Sequence, residues 1–228
     1  MTDARQTPPR RLDPGRAAAD AAPVRDRPAP APDTRRYRWA MGIFGLALVV
    51  AFSIYEFASH GVGTAGIPAG QKLHFFAAPL AASTLNGDAN LDPPCTLARH
   101  DPRALNVCLL AGRGPLVLAF FVTGSNTCKR EVDTLQTVSH DFAPGQVQFA
   151  AVAVRGTHAT TAADVRAHHW TIPVAYDLDG LVGQTYAVEV CPLIELARRG
   201  GVVANRLLGA HWLSSNALDA QVRALVNG

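Results

Sequence analysis

No two of the four cysteines in this 228-residue chain stand in C-x-x-C spacing, and that absence removes the commonest thiolate cage for a structural zinc ion. The paired histidines, His168 and His169, are adjacent rather than one helical turn apart, so they do not share a face as two ligands would. No metal and no cofactor is therefore expected. No internal repeat runs through the chain, which excludes a solenoid or a propeller. Large apolar residues are nearly missing from the first 38 residues, which are rich in Pro and Ala instead. Such a segment cannot bury enough surface to offset the entropy of ordering it, so residues 1–38 are expected to form a disordered tail. Acidic charge is also short there: nine arginines face five aspartates, a net +4, whereas the whole chain carries +3. The remainder thus sums to −1, and the folded part is not expected to bind nucleic acid.

After the tail comes a run of 17 residues without a charge, Trp39–Tyr55, spanning roughly 25 Å as a helix. Tyr37, Trp39, Tyr55 and Phe57 flank it where interfacial aromatics sit, and a transmembrane helix is expected over 39–57. Arg35, Arg36 and Arg38 directly precede the run, while Lys72 is the first Lys or Arg after it. By the positive-inside rule the N-terminus is cytoplasmic and the C-terminal part extracytoplasmic, a single-pass membrane protein. A cleaved signal peptide fits less well, because the charged leader is long and no clean A-x-A site is present; it would export the same domain. Outside the cytoplasm disulfides persist, and Cys95, Cys108, Cys128 and Cys191 allow three pairings.

Residues 58–71 are punctuated by Gly, Ala and Pro and are expected to be a flexible stalk, leaving 72–228 as the exported domain. Within it, Leu116–Thr123 is an unbroken β-rich apolar run, the pattern of a strand covered on both faces. A short turn leads to a helix over Cys128–Phe142, with Val132, Leu135, Val138 and Phe142 at helical spacing. A second buried strand, Val147–Val154, and a second helix, Ala162–His169, complete a parallel crossover unit. Leu193–Ala197 and Val202–Leu208, joined by Arg-Arg-Gly-Gly, predict an antiparallel hairpin. Ser214-Ser215 is placed to cap a last helix carrying Leu218, Val222 and Leu225 on one face. The class is α/β, a βαβ unit followed by ββα, with a mixed central sheet flanked by helices.

That layout is the thioredoxin-like one, and two segments carry a closer resemblance. FFVTGSNTCKRE (Phe120–Glu131) resembles the active-site segment of membrane-anchored TlpA/ResA-type proteins, strand-F-W-A-T-W-C-P-P-C-K-x-E-helix. Cys128 falls on their second cysteine, Ser125 on the first, Thr123 on the threonine and Glu131 on the glutamate. YAVEVCPLIELARRGG (Tyr186–Gly201) resembles their Y-x-V-x-x-x-P segment, with Pro192 at the cis-proline and Cys191 just before it. In this fold the residue before the cis-proline meets the active-site turn, so the resemblance implies that Cys191 reaches Cys128. Cys95 and Cys108 lie in a proline-interrupted stretch and are expected to form a structural disulfide, stabilising by roughly 3 kcal/mol in the chain-entropy treatment.

Independently of the family, a cysteine in the first turn of a helix sees the positive end of the helix dipole, which favours the reactive thiolate. Ser125 is placed to cap that helix or to hydrogen-bond the sulfur. Glu131, one turn on, is a candidate proton acceptor for the thiol. Three departures limit the resemblance. Ser125 abolishes a plain C-x-x-C dithiol, Ala119 stands where thioredoxin has a buried acid, and Gly124 replaces the tryptophan.

These residues point first to a thiol–disulfide oxidoreductase using Cys128 with Cys191, acting on protein thiols or disulfides or on a membrane electron donor. The alternative is a peroxidase of the AhpC/TSA peroxiredoxin type, an antioxidant redoxin whose T/S-x-x-C pattern Ser125–Cys128 is similar to; Cys128 would then attack peroxide, pass through a sulfenic acid and be resolved by Cys191. Phe121 stands at that family's proline and Leu193 where its arginine would come after Pro192, both against it. A non-enzymatic adaptor binding extended peptides at the Pro192 face is the third reading.

Overall fold

The computed structural model describes residues 35–59, 65–91 and 100–228. The chain divides into an N-terminal unit ending at Ala51 and a second running from Phe52 to Gly228. The first consists of most of helix α1 (Arg35–Ser59). Its window Tyr37–Ile54 has mean hydropathy 1.6 and no buried residue, so by length and composition it is able to cross a membrane. The helix begins four residues before the expected span and takes in Arg35, Arg36 and Arg38. The rest of the expected disordered tail, 1–34, lies outside the described residues.

The second unit is built on a sheet of five strands: β3 (Leu116–Phe121), β4 (Gln148–Val154), β5 (Val174–Asp177), β6 (Leu193–Ala197) and β7 (Val203–Leu208). Their spatial order is β5-β4-β3-β6-β7. β3, β4 and β5 run parallel, and β6 and β7 pair antiparallel beside β3. β3 shows why the long apolar run was required. Val117, Ala119 and Phe121 enter one core, Leu116, Leu118 and Phe120 the other, and all six are buried.

The first core is covered by α3 (Asn126–Ser139), α4 (His158–His168) and α6 (Ser215–Asn227). Leu218, Val222 and Leu225 of α6 all face it, as the spacing predicts. Ser214 holds the N-cap position of α6, but its side chain makes no cap hydrogen bond. α4 starts four residues before the expected Ala162, because Thr157 and Thr160 form a reciprocal capping box ahead of a polar first turn that hydropathy does not reveal.

The second core is covered by α2 (Val107–Arg113), α5 (Leu181–Thr185) and the segment 65–80, which includes β1 (Ala77–Pro79) paired with β2 (Ala104–Asn106). Sequence reasoning missed these short elements and β5. β5 is a four-residue strand behind Pro173, too short to show a period.

The N-terminal boundary of this packing lies ahead of residue 72. Ala65 and Ile67 are buried, and Gly66 N–H donates to the Tyr186 carbonyl at 3.1 Å. Gly70 N–H donates to Val203 O, and Val203 N–H to Gln71 O, each at 2.8 Å. Residues 65–71, expected as the end of a flexible stalk, are thus laid on the sheet, while 60–64 lie outside the described residues. Gly66 has φ +81°, and a Cβ there would run into the Glu195 carboxylate. That carboxylate accepts from Ile67 N–H, and the Arg206 guanidinium beside it donates to Ala65 O at 3.1 Å.

Glu195 is fully buried, and burial pushes its carboxyl up to about 7, with the Ile67 N–H and the Arg206 charge opposing. Because this lies above the ordinary value of 4.5, the folded state holds a proton that the unfolded state has released between those two pH values. Stability from this group is complete below the lower value and is lost as pH rises through the higher one, by up to about 3 kcal/mol. Glu195→Gln keeps the acceptor for Ile67. It is expected to lose about 1–3 kcal/mol less stability than the parent between pH 5 and pH 8, read by urea denaturation.

Candidate functional site

The site is assembled by strand register. β3 and β6 are antiparallel with Phe120 opposite Leu193, so the chain leaving β3 and the chain entering β6 meet at one end of the sheet. From β3 the backbone passes through Val122–Ser125 into α3. Into β6 it passes through Cys191 and a cis peptide bond to Pro192. The two cysteines are 63 residues apart in sequence, yet their Cα atoms are 5.5 Å apart and their sulfurs are joined in a disulfide.

Ser125 is the N-cap of α3, with φ −116° and ψ 116°, and its hydroxyl accepts from Cys128 N–H at 3.4 Å. Of the two roles foreseen for Ser125, it takes the cap. Cys128 sits in the first turn of α3, 5% exposed, inside the first core with Phe121 and Val132. Cys191 lies at the edge of that core and is partly exposed.

Glu131 turns inward from the same helix and is fully buried. Burial pushes its carboxyl well above the usual carboxylate range, and the backbone N–H of Leu193 offsets this only in part. Oε2 is 3.3 Å from Cys191 Sγ, while Oε1 has no hydrogen-bond partner among the described residues. Sequence spacing pointed Glu131 at Cys128, its neighbour on the helix. In the structure its carboxyl also meets the segment opposite, at Cys191 Sγ and the Leu193 N–H where β6 begins. Ala119, where an acid is missing, is filled by the core of the sheet.

Cys108, the second residue of α2, is disulfide-bonded; its expected partner Cys95 lies outside the described residues. The His168-His169 pair does not act together. His168 Nδ1 lies 2.9 Å from Asp133 Oδ1 and its ring stacks on Trp170, and His169 ends α4 in a left-handed conformation. Lys129 reaches Asp164 at 3.4 Å, a second tie from α3 to α4. Asp88, Asp177 and Asp179 bring carboxylate oxygens within 4.8 Å of one another. Asp88 already accepts from Ala89, Leu178 and Asp179 N–H, and Asp177 from Gly183 N–H, so the group is explained as a staple between two loops.

No family model and no curated protein matches the sequence. Solved structures match in fold. A protein assigned as the thiol:disulfide interchange protein DsbE of Chlorobium tepidum is 17% identical with TM-score 0.56, over 70% of this chain and 99% of its own. The peroxidoxin BcpB of Mycobacterium tuberculosis is 14% identical with TM-score 0.53, over 71% and 97%. The C-terminal domain of a protein assigned as a thiol-disulfide oxidoreductase of Bacteroides thetaiotaomicron is 13% identical with TM-score 0.53, over 70% and 97%. The fold is thioredoxin-like, and at these identities the likeness is one of fold.

Replacing Ser125 by Ala removes the cap and is expected to cost about 1 kcal/mol in chemical denaturation with the disulfide intact, most of it restored by Ser125→Asn.

Proposed function

We propose that this chain is a thiol–disulfide oxidoreductase, tethered by α1 with its C-terminal domain extracytoplasmic, in which Cys128 and Cys191 are the redox pair. The observation that carries this reading is the bridge between them. It joins a helix N-terminus to the residue before Pro192, one of its cysteines is partly exposed, and a buried carboxyl stands beside the sulfur of that cysteine. A purely structural bridge needs no ionisable group in its shelter, and burying one is costly. Two of the fold relatives are assigned as thiol–disulfide proteins, which agrees with this class.

The reaction is an exchange of two electrons. Two thiols of a partner protein or membrane electron donor become a disulfide while Cys128–Cys191 becomes two thiols, or the reverse. Ser125 holds the start of α3, Glu131 exchanges the proton of the adjacent thiol, and Pro192 fixes the start of β6. The disulfide-bonded Cys108 of α2 stands outside this cycle. The peroxidase reading would also end in a Cys128–Cys191 bridge, but it requires a Cys128 thiolate that peroxide can reach, and Cys128 is buried.

Disulfide mapping by mass spectrometry through a series of glutathione and dithiothreitol buffers tests the proposal. Cys128–Cys191 is expected to open at a potential above roughly −300 mV, ahead of the bridge at Cys108. Equal resistance of both bridges would exclude the oxidoreductase and leave a structural module. The topology is tested separately, by protease treatment of sealed right-side-out vesicles, which is expected to digest the C-terminal domain and spare the segment before α1.

A further inference from the structure

Resting on the oxidoreductase reading, we infer that Cys191, the cysteine before Pro192, is the sulfur that forms the mixed disulfide with the partner, and that Cys128 on the helix is the thiol that leaves and later closes the bridge. The sequence places the reactive thiolate at Cys128 and leaves open which of the two sulfurs engages the partner.

Three observations carry the inference. The first is access. Thiol–disulfide exchange proceeds by attack on whichever sulfur the incoming thiolate reaches. Cys128 is embedded among Phe121, Val132 and their neighbours at 5% exposure, whereas Cys191 lies at the core's edge and is partly exposed. The residues leading into Cys191 are open as well: Glu189 is exposed, and Val188 and Val190 are partly so.

The second is the leaving group. A thiol of lower pKa leaves faster, and the sulfur in the first turn of the 14-residue helix α3 is the one favoured as a thiolate by the helix dipole. The electrostatics that suggested a nucleophile therefore suit the sulfur that is expelled when Cys191 is attacked. The third is the proton. Glu131 Oε2 is 3.3 Å from Cys191 Sγ, in place to take the proton from a Cys191 thiol that attacks, or to return it to one that is released.

The steps balance. With the bridge closed, a partner thiolate bonds to Cys191 Sγ and the Cys128–Cys191 bond breaks, its electron pair leaving on Cys128. A second partner thiolate then bonds to the partner sulfur of the mixed disulfide. Cys191 is released, takes its proton from Glu131, and the partner departs oxidised by two electrons. In reverse, Glu131 accepts the Cys191 proton and Cys191 attacks a partner disulfide. Cys128 then bonds to Cys191 Sγ and expels the second partner thiolate.

The test uses full-length chains carrying Cys128→Ser or Cys191→Ser, with oxidised glutathione as the probe and mass spectrometry as the readout. The thiol left in Cys128→Ser is expected to be glutathionylated at least about tenfold faster than the thiol left in Cys191→Ser. A faster reaction at Cys128, or equal rates, overturns the inference. Should either variant fold poorly, the parent protein is mixed briefly with limiting reduced glutathione and quenched in acid. The adduct is expected on Cys191, and an adduct on Cys128 overturns the inference.

Adding Glu131→Gln is expected to slow Cys128→Ser severalfold while changing Cys191→Ser by less than about twofold; equal slowing of both would remove Glu131 from the proton path. The single-thiol rates do not depend on whether the native bridge opens at a physiological potential. They can therefore stand if the oxidoreductase proposal fails, and fail if it stands.

Discussion

The pairing of β6 with β3 is the constraint on which the site depends. An antiparallel neighbour brings the start of one strand beside the end of the other, and the register Phe120 opposite Leu193 sets how far past each end the chains can reach. Two residues before Leu193 is Cys191, and the turn that leaves Phe121 is just long enough to start α3 with Cys128 in its first turn. A one-residue slip would exchange the two faces of β6, driving Glu195 toward the helices and Ile194 toward α2 and α5. The hydrophobic alternation of the strand that holds the register thus also holds the two sulfurs within bonding reach.

β6 is unusual in having a buried carboxyl on each of its faces. Glu195 belongs to the strand and points into the second core, where it meets Ile67 N–H and the Arg206 side chain. Glu131 comes from α3 and reaches the other face at Cys191 and Leu193. Each has one oxygen without a hydrogen-bond partner among the described residues. Buried carboxyls of this kind are costly unless something requires them. Glu195 is accounted for by the chain it captures, since it accepts from the Ile67 N–H and stands beside the Arg206 guanidinium that holds Ala65 O. Glu131 meets the Leu193 N–H and, at 3.3 Å, the Cys191 sulfur, which the proposed exchange would protonate and deprotonate. Under the proposed function, that difference separates a buried acid explained by architecture from one explained by chemistry.

Most of the architecture was readable from periodicity because the buried strands are long and continuous and the hairpin turn is marked by two glycines. What was not readable were elements of three to seven residues, β1, β2, β5, α2 and α5, whose length covers at most about two periods, too few to establish a pattern. The start of α4 escaped for another reason: its first turn is held by the threonine capping box rather than by apolar contacts. At the site, the identities of Cys128, Cys191, Ser125, Glu131 and Pro192 all came from motif positions. Their division of labour did not, because it depends on which sulfur is covered and on which side of α3 Glu131 emerges. Both are properties of packing between segments about 60 residues apart, and local spacing is silent on them.

Placing the two sulfurs in distant segments also changes the energetics of the bridge. Closing a loop of 63 residues stabilises the folded state by roughly 4 kcal/mol in the chain-entropy treatment, against about 2 kcal/mol for a bridge within one turn. By linkage the fold favours the oxidised pair by the same amount, and a difference of about 2 kcal/mol corresponds to some 40 mV for a two-electron couple. A bridge of this span would drift toward the inert, structural end of the range unless the open form were stabilised as well. Two features of the site act in that direction. The N-terminus of α3 favours a Cys128 thiolate, and the Glu131 carboxyl can accept a hydrogen bond from a Cys191 thiol, a bond that a disulfide sulfur, having no proton, cannot supply. Each is worth on the order of 1 kcal/mol, so together they are of the size needed to offset the longer loop. Under the proposed function, a partner for each of the two thiols is what would keep so long a bridge exchangeable.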